Sequence, residues 1–149
     1  MKIQNVEELI KKYPSLIGGC EVSIPNGWLQ IVDQLCGYIQ RYNSIISPKK
    51  QIKAEQVKSK LGGLRFYIDI PVSLEAPSVR SMLEGAIHFS SWRSMNTCEY
   101  CGTEENVGCT KGWIITCCED CYKSQPECQT KEWVKHNWKD HYGTTEESR

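Results

Sequence analysis

Cys98-Glu99-Tyr100-Cys101-Gly102 and Cys118-Glu119-Asp120-Cys121 are two matched cysteine pairs, with sixteen residues (102–117) between Cys101 and Cys118. Each pair keeps its two cysteines apart by a two-residue spacer. Four thiolates that arrive two by two can close a tetrahedron around one zinc ion. The spacing therefore predicts one structural Zn²⁺ with four ligands, Cys98, Cys101, Cys118 and Cys121.

Cys117 offers an alternative third ligand because it lies directly before Cys118. It would need a three-residue spacer to Cys121, so the matched spacers favour Cys118. Four thiolates also saturate zinc and leave no coordinated water, which predicts a structural metal and no catalytic residues. The remaining cysteines are expected to pack as small apolar side chains: Cys20, Cys36, Cys109, Cys117 and Cys128.

The residues between and after the cysteine pairs indicate the shape of the finger. Val107–Thr110 and Trp113–Thr116 flank Lys111-Gly112 and predict a short hairpin, and the second cysteine pair is placed to begin a helix. Knuckle, hairpin and helix together predict a treble-clef-like finger, with a zinc ribbon as the neighbouring alternative. Pro126 limits the length of that helix, and a further terminal helix is predicted over Thr130–Tyr142.

The first part of the chain predicts helices packed on a hairpin. Asn5–Tyr13 is a short helix closed by Pro14, and Asn26–Tyr42 carries apolar residues at steps of three and four, with Asn26 as its cap. Alternation over Leu64–Ile70, after Gln51–Leu61 and a Gly62-Gly63 turn, predicts a β-hairpin. Ser78 is expected to begin a helix to about Trp92, whose apolar side is Val79, Met82, Leu83, Ala86 and Phe89.

These elements predict an α+β fold: helices packed on a β-hairpin, then a treble-clef-like zinc finger with four cysteine ligands and a C-terminal helix. We expect two parts, residues 1–95 with the hairpin and residues 96–149 with the finger. Only a few residues separate the preceding helix from Cys98, so the two parts are expected to be docked as one body.

Composition and charge limit the classes of protein. Nine cysteines would suit a disulfide scaffold in a small secreted chain, but residues 1–17 contain no apolar segment of an export signal, which predicts a cytoplasmic protein. No apolar run approaches the length of a membrane span. Residues 1–97 carry 12 Lys and Arg against 8 Asp and Glu, whereas residues 98–149 carry 6 against 10, so the zero net charge conceals two halves of opposite sign.

Basic residues concentrate on the predicted hairpin. Between Arg41 and Arg65 there are seven, against the single acid Glu55. Such a strip can follow a phosphate backbone, steer an acidic protein partner, or only keep a strand edge soluble. The residues assigned to partner or nucleic-acid binding are Lys53, Lys58, Lys60 and Arg65.

Three histidines complete the candidates for chemistry. His136, Asn137 and His141 follow the finger, an order that is similar to that of the His-Asn-His nucleases, but no histidine precedes Cys118 inside the finger as those enzymes require. His88 is expected to be solvated or packed. No nucleotide-binding loop and no serine hydrolase triad is present, and no small-molecule substrate is indicated.

Four segments taken together resemble a family of small zinc-finger proteins found in phages and prophages. They are Gly27-Trp28 through Leu35-Cys36, Gln56–Tyr67, Cys98–Gly102, and Gly112-Trp113 through Thr116 to Cys121. The resemblance covers most of residues 26–121. The chain departs from the family where Cys117 replaces an aliphatic residue and Leu61 a phenylalanine. The resemblance implies a phage-encoded zinc-binding protein, which is a genomic setting and not a reaction.

The sequence therefore predicts a non-catalytic zinc protein that binds and modulates a host or defence-system protein, an anti-CRISPR type of inhibitor being one form. The alternatives are a nucleic-acid-binding accessory factor that uses the basic hairpin and a metal-dependent His-Asn-His nuclease. If they are exposed together, the tryptophans are the expected protein anchors: Trp92, Trp113, Trp133 and Trp138.

Overall fold

The computed structural model of the 149-residue chain describes residues 2–72 and 76–136. Its regular elements, in chain order, are α1 (Val6–Lys12), α2 (Pro14–Ile17), β1 (Glu21–Ser23), a 3₁₀ turn (Asn26–Trp28), α3 (Leu29–Asn43), a 3₁₀ turn (Pro48–Lys50), β2 (Lys53–Lys60), β3 (Gly63–Asp69), α4 (Pro77–Ser94), β4 (Val107–Thr110), β5 (Thr116–Cys118), α5 (Glu119–Ser124), α6 (Pro126–Gln129) and β6 (Trp133–Lys135). The protein is thus a mixed α+β fold with two small sheets.

The first sheet has the order β1-β2-β3, with β1 parallel and β3 antiparallel to β2. The predicted hairpin is β2-β3, whereas β1 was not predicted. The turn lies one residue earlier than expected: positive φ angles occur at Leu61 (54°) and Gly62 (73°), and Gly63 already belongs to β3. A two-residue turn of this kind needs positive φ at both central positions. Leu61 therefore adopts a backbone conformation that costs a side chain about 1–2 kcal/mol.

The main hydrophobic core lies between this sheet and the helices. Leu64, Phe66 and Ile70 of the hairpin are buried, as their alternation predicts. Trp28 and the apolar stripe of α3 complete the core, and α1, α2 and α4 contribute the rest. Trp28 is fully buried, and removing a side chain of its size from water is worth about 2–3 kcal/mol.

Two predicted helix starts are wrong. Asn26 begins the 3₁₀ turn and does not cap α3. The N-cap residue of α3 is Trp28. α4 begins at Pro77, one residue before the predicted Ser78, and Ala76 precedes it without a side-chain cap. Proline suits the first helical position because its fixed φ is helical and its missing N–H has no partner there.

The face that α4 turns to the sheet also differs from the prediction. Phe89 was expected inside, but 60% of it is exposed. Serines lie against β3 instead: Ser94 Oγ accepts a hydrogen bond from Leu64 N–H at 2.8 Å, and Ser91 Oγ donates one to the Leu64 carbonyl at 3.0 Å. β3 is an edge strand with outward-pointing backbone groups, so short hydroxyl side chains satisfy it where an aromatic ring could not.

The second sheet has the order β5-β4-β6 and is antiparallel throughout. The predicted finger hairpin is present as β4-β5, although β5 begins only at Thr116 and leaves Trp113 outside the strand. The predicted terminal helix is wrong over Trp133–Lys135, which forms β6, and its continuation over 137–142 lies outside the described residues. A Cβ on Gly108 would lie 2.3 Å from the Val134 carbonyl oxygen, so the bare glycine of β4 permits this strand to pair closely.

The finger contacts the first half through hydrogen bonds that end on backbone carbonyl groups. Gly27 N–H donates to the Glu99 carbonyl at 2.8 Å, and the buried Trp28 indole donates to the Thr97 carbonyl at 2.9 Å. On the other side, Thr116 Oγ1 donates to the Gly62 carbonyl at 2.6 Å. The finger is thus joined both to the start of α3 and to the tip of the hairpin.

Candidate metal centre

The four sulfurs of Cys98, Cys101, Cys118 and Cys121 all lie within 4.8 Å of one another. The Cys101 and Cys118 sulfurs are 3.8 Å apart. A zinc ion with Zn–S bonds of about 2.3 Å holds its sulfurs roughly 3.8 Å apart in a regular tetrahedron. The donor atoms and their separations therefore fit one tetrahedral metal ion.

The first two thiols are positioned by a tight loop that follows α4. Cys98 N–H donates to the Thr103 carbonyl at 2.9 Å, and Gly102 N–H donates to the Cys98 carbonyl at 3.0 Å. Gly102 has a φ of 77°, which glycine adopts without steric cost. The loop folds back on itself and brings the Cys101 sulfur beside that of Cys98.

Hydrogen bonds to the Cys98 sulfur prepare it to be a thiolate. Burial alone would raise the pKa of this thiol, but the backbone N–H groups of Cys101, Cys118 and Tyr100 point at the sulfur and the net pKa is lowered. Amide hydrogen bonds of this kind stabilise a metal-bound thiolate and orient it. The knuckle therefore supplies both the ligand and the groups that hold it.

The second pair is positioned by the start of α5. Cys118 is the N-cap residue, and its sulfur accepts a hydrogen bond from Cys121 N–H at 3.4 Å. Burial raises the pKa of the Cys121 thiol, and the neighbouring cysteines raise it further. Four thiols this close cannot all ionise without a cation among them, and a bound metal ion removes that penalty by deprotonating its ligands.

Cys117 lies outside the group of four. Neighbouring residues of a strand point to opposite faces, so β5 directs Cys117 and Cys118 apart. Cys117 is fully buried against Cys128, and the Cys128 sulfur lies 3.4 Å from the Tyr100 hydroxyl. The geometry thus selects Cys118, as the matched spacers favour, and shows Cys117 and Cys128 as neighbours, which the sequence did not indicate.

Cys20, Cys36 and Cys109 lie away from the four sulfurs. Cys36 is fully buried on α3, and burial raises its pKa to about 12. Cys20 and Cys109 are partly exposed, and burial raises the pKa of each.

The histidines are not part of this centre. Within residues 2–72 and 76–136 the four cysteines form the one group of three or more potential metal ligands, and it contains no histidine. His88 is exposed on α4. His136 follows β6, and its backbone N–H donates to the Val107 carbonyl at 2.9 Å. Asn137 and His141 lie outside the described residues.

The basic residues assigned to binding lie along the hairpin. Lys58 and Arg65 are directly opposite each other on β2 and β3, and Lys60 is opposite Gly63 beside the turn. Lys53 lies at the far end of β2, opposite Asp69. The structure therefore brings Lys58 and Arg65 together and separates Lys53 from them.

Exposed aromatic residues lie on one side of α4 and on the finger. Trp92 is 42% exposed and stacks on Phe89 with ring centroids 5.9 Å apart, and Trp113 is 78% exposed. Trp133 packs on Tyr122 instead and donates its indole N–H to the Cys117 carbonyl at 3.0 Å. Trp138 lies outside the described residues.

Glu99 is a further feature that the sequence reasoning missed. It lies between the two cysteines of the first pair and lines a cavity with the hairpin tip and Ile114. Burial raises the pKa of its carboxyl group to about 7, although the hydrogen bonds from Thr116 N–H and the Ser59 hydroxyl act in the opposite direction and lower this pKa. The signal available in the sequence was a lone acid inside a cysteine knuckle, which is too weak to show that the hairpin would cover it.

Comparisons of the chain with protein-family models, with curated proteins and with solved structures find no match. The similarity to phage zinc-finger proteins therefore stays a prediction. Across residues 2–72 and 76–136, no helix combines the length and the hydropathy needed to cross a lipid bilayer.

Proposed function

We propose that this chain is a zinc-binding protein with no catalytic activity of its own, whose metal stabilises a surface that binds and modulates another protein. The observation that carries the proposal is the set of four cysteine sulfurs within 4.8 Å of one another, with no histidine or carboxylate among them. An all-thiolate set of four is typical of structural zinc and leaves no open coordination position.

The finger that holds the metal is proposed to be of the treble-clef type. A glycine-containing knuckle, a short hairpin and a helix that starts at the second cysteine pair support this assignment. Zinc binding in small fingers releases on the order of 10 kcal/mol, which would go into ordering residues 98–121. Because the finger is hydrogen-bonded to the 3₁₀ turn before α3 and to the hairpin, the metal would also stabilise the joined body.

The exposed apolar side chains support a protein partner. Phe89, Trp92, Trp113 and Leu61 each expose at least 42% of their surface. Large aromatic residues are frequent at the centres of protein interfaces. The family resemblance supports a phage setting, in which the partner would be a host or defence-system protein in the cytoplasm of the infected cell, and inhibition of the anti-CRISPR type would be one outcome of binding.

A nucleic-acid-binding accessory role is the second candidate, and one observation favours it. Lys58 and Arg65 are directly opposite on neighbouring strands, and neither forms an ion pair among the residues that the structure describes. Two cations that lie directly opposite each other on neighbouring strands, without an ion-pair partner, attract anions, including phosphates. The acidic second half of the chain opposes a nucleic acid that would cover the finger.

Metal analysis of matched cysteine variants tests the zinc assignment. We expect about one zinc per chain in the wild type and in Cys109→Ser, because Cys109 lies outside the four ligands, and loss of zinc with a lower melting temperature in Cys101→Ser. A wild-type protein without zinc, or a Cys101→Ser variant that keeps it, would refute the assignment.

Affinity capture from host lysate tests the partner class, with and without nuclease treatment. We expect proteins to be recovered after nuclease digestion and to be lost with Trp92→Ala or Trp113→Ala, since both indole rings are exposed. Recovery that disappears on digestion and depends on Arg65 would favour the nucleic-acid role instead.

A further inference from the structure

A groove of about 480 Å³ lies between β3 and α4. At one end the helix touches the strand, where Ser91 and Ser94 hydrogen-bond to Leu64. Toward the start of α4 the groove is lined by Arg65, Phe66 and Ile68 of the strand and by Ile87 and His88 of the helix. We propose that this groove binds an extended peptide segment of a partner protein, which adds to β3 as a fourth strand.

The backbone of β3 supplies the first argument. Lys60 and Gly63 close a two-residue turn, so they form a hydrogen-bonded pair and the pairs along the hairpin alternate from there. Leu64 must then direct its N–H and C=O away from β2, and both are indeed bound by α4 serines. Phe66 and Ile68 share the orientation of Leu64, since they lie two and four residues further along the strand.

The outward backbone groups of Phe66 and Ile68 have no hydrogen-bond partner in the described parts of the chain. Phe66 is only 4% exposed and Ile68 is half-buried, so these two positions of the edge strand are partly shielded from solvent. Buried N–H and C=O groups are almost always paired, because leaving one unpaired is destabilising. Phe66 and Ile68 are alternate residues of β3, so their free N–H and C=O groups point to the same side of the strand. An added strand on that side would form hydrogen bonds with both residues.

The side chains around the groove indicate which peptide fits. On the inner face, a residue opposite Phe66 or Ile68 would contact those side chains and Ile87, which favours aliphatic residues. On the outer face, a residue opposite Arg65 would meet the uncompensated pair of Arg65 and Lys58. The charge of that pair favours an acidic residue there.

The acids that line the groove limit this preference to the position beside Arg65. Glu84 is paired with Arg80 at 3.5 Å, and Glu55 reaches the groove from β2. The matching segment is therefore extended, with aliphatic residues at alternate positions and an acidic residue opposite Arg65. This inference rests on the proposed function, in that the peptide belongs to the protein partner.

A labelled decapeptide of alternating glutamate and valine is the probe. Binding to the zinc-loaded protein is measured by fluorescence anisotropy, beside a peptide of the same composition in which the valines and the glutamates form separate blocks. We expect the alternating peptide to bind more tightly, because only this peptide, as an extended strand, has valines on one face and glutamates on the other.

Backbone methylation tests strand pairing directly. Two further peptides carry N-methyl groups on the valines only or on the glutamates only. Alternate N–H groups of a strand point to opposite sides, so one set faces β3 and the other faces away. We expect affinity to fall in one methylated peptide only, by roughly two- to tenfold for each hydrogen bond lost. Loss with methylated valine would indicate an antiparallel addition and loss with methylated glutamate a parallel one.

Protein variants locate the site. Arg65→Glu should weaken the alternating peptide and His88→Trp should fill the groove, whereas Arg41→Glu makes the same charge change on α3, outside the groove. Amide hydrogen exchange at Phe66 and Ile68 should slow when the peptide is bound. Zinc content and circular dichroism of each variant show whether it is folded.

Equal affinity of all four peptides, or an equal loss with both methylated ones, would overturn strand addition. Binding of a 20-nucleotide DNA that is lost in Arg65→Glu, with no binding of the peptide, would overturn it in favour of a nucleic acid. If the wild type holds zinc and binds no peptide, the inference fails while the zinc assignment stands. A partner whose capture depends on Trp92 or Trp113 would then leave the proposed function intact.

Discussion

Replacing Gly27 by alanine should separate the finger from α3. Gly27 N–H donates to the Glu99 carbonyl at 2.8 Å, so the two backbones are in direct contact. A Cβ on Gly27 would lie 2.0 Å from the Cys98 carbonyl oxygen, where ordinary van der Waals contact begins at 3.4 Å. The obstructing atoms belong to the backbone of the cysteine knuckle, so no side-chain rotation relieves the contact and the junction must open by more than about an ångström.

The expected loss of stability combines two terms. Overpacking a closed contact costs about 1–3 kcal/mol, and the lost hydrogen bond adds about 0.5–1.5 kcal/mol. Gly27→Ala should therefore lower the free energy of unfolding by about 2–4 kcal/mol. For a chain of this size, that corresponds to a fall in melting temperature of about 5–15 °C.

Urea and thermal unfolding of the zinc-loaded proteins measure this effect. Gly85→Ala is the matched control, since a Cβ at Gly85 meets nothing within 4 Å and alanine favours the helix of α4 by up to about 1 kcal/mol. A Gly27→Ala protein that unfolds within about 0.5 kcal/mol of the wild type, or a Gly85→Ala protein that loses as much as Gly27→Ala, would show that the turn before α3 and the knuckle are not in contact.

Three further predictions concern the core and the hairpin. Trp28→Phe should lower the free energy of unfolding by about 2–3 kcal/mol, because it leaves a cavity and an unpaired Thr97 carbonyl; chemical denaturation measures this, and an unchanged midpoint would contradict it. Leu61→Asn should raise stability by about 0.5–1 kcal/mol in the same assay, since Leu61 is 68% exposed and asparagine tolerates positive φ; a lower midpoint would speak against the turn. Burial raises the pKa of Cys36 to about 12 from 9.0, so its contribution to stability is complete below pH 9 and is lost as the pH rises toward 12. Unfolding of the wild type relative to Cys36→Ala between pH 8 and pH 11 checks the sign, and a difference that grows in favour of the wild type with rising pH would be the wrong sign.

Local signals in the sequence were sufficient for the α+β class, for most elements of the first half and for the four clustered cysteines. In α3 the apolar residues recur every three or four positions, and in β3 they alternate, because each element buries one face. The period of the apolar residues shows such a face even when the element that packs against it is unknown. The two cysteine spacers are likewise local, and the loop and helix that carry them bring the sulfurs together.

The larger errors occur where a distant segment decides the conformation. α4 presents serines to β3 because that strand has an unpaired edge, which no pattern within α4 can reveal. Trp133–Lys135 forms a strand because Gly108 leaves space for it on β4, although the same residues fit a helical stripe. The groove beside Phe66 was not predicted for the same reason, since it depends on where α4 diverges from β3.

The hydrogen bonds that join the finger to the first half also bear on how the chain is made. The acceptor for the Trp28 indole lies 69 residues later in the chain, and the donor to the Gly62 carbonyl lies 54 residues later. During synthesis these two hydrogen bonds cannot both form until Thr116 has left the ribosome. The proposed metal would be captured later still, because its fourth ligand, Cys121, follows Thr116, so the finger would be ordered and joined to the first half only late in synthesis.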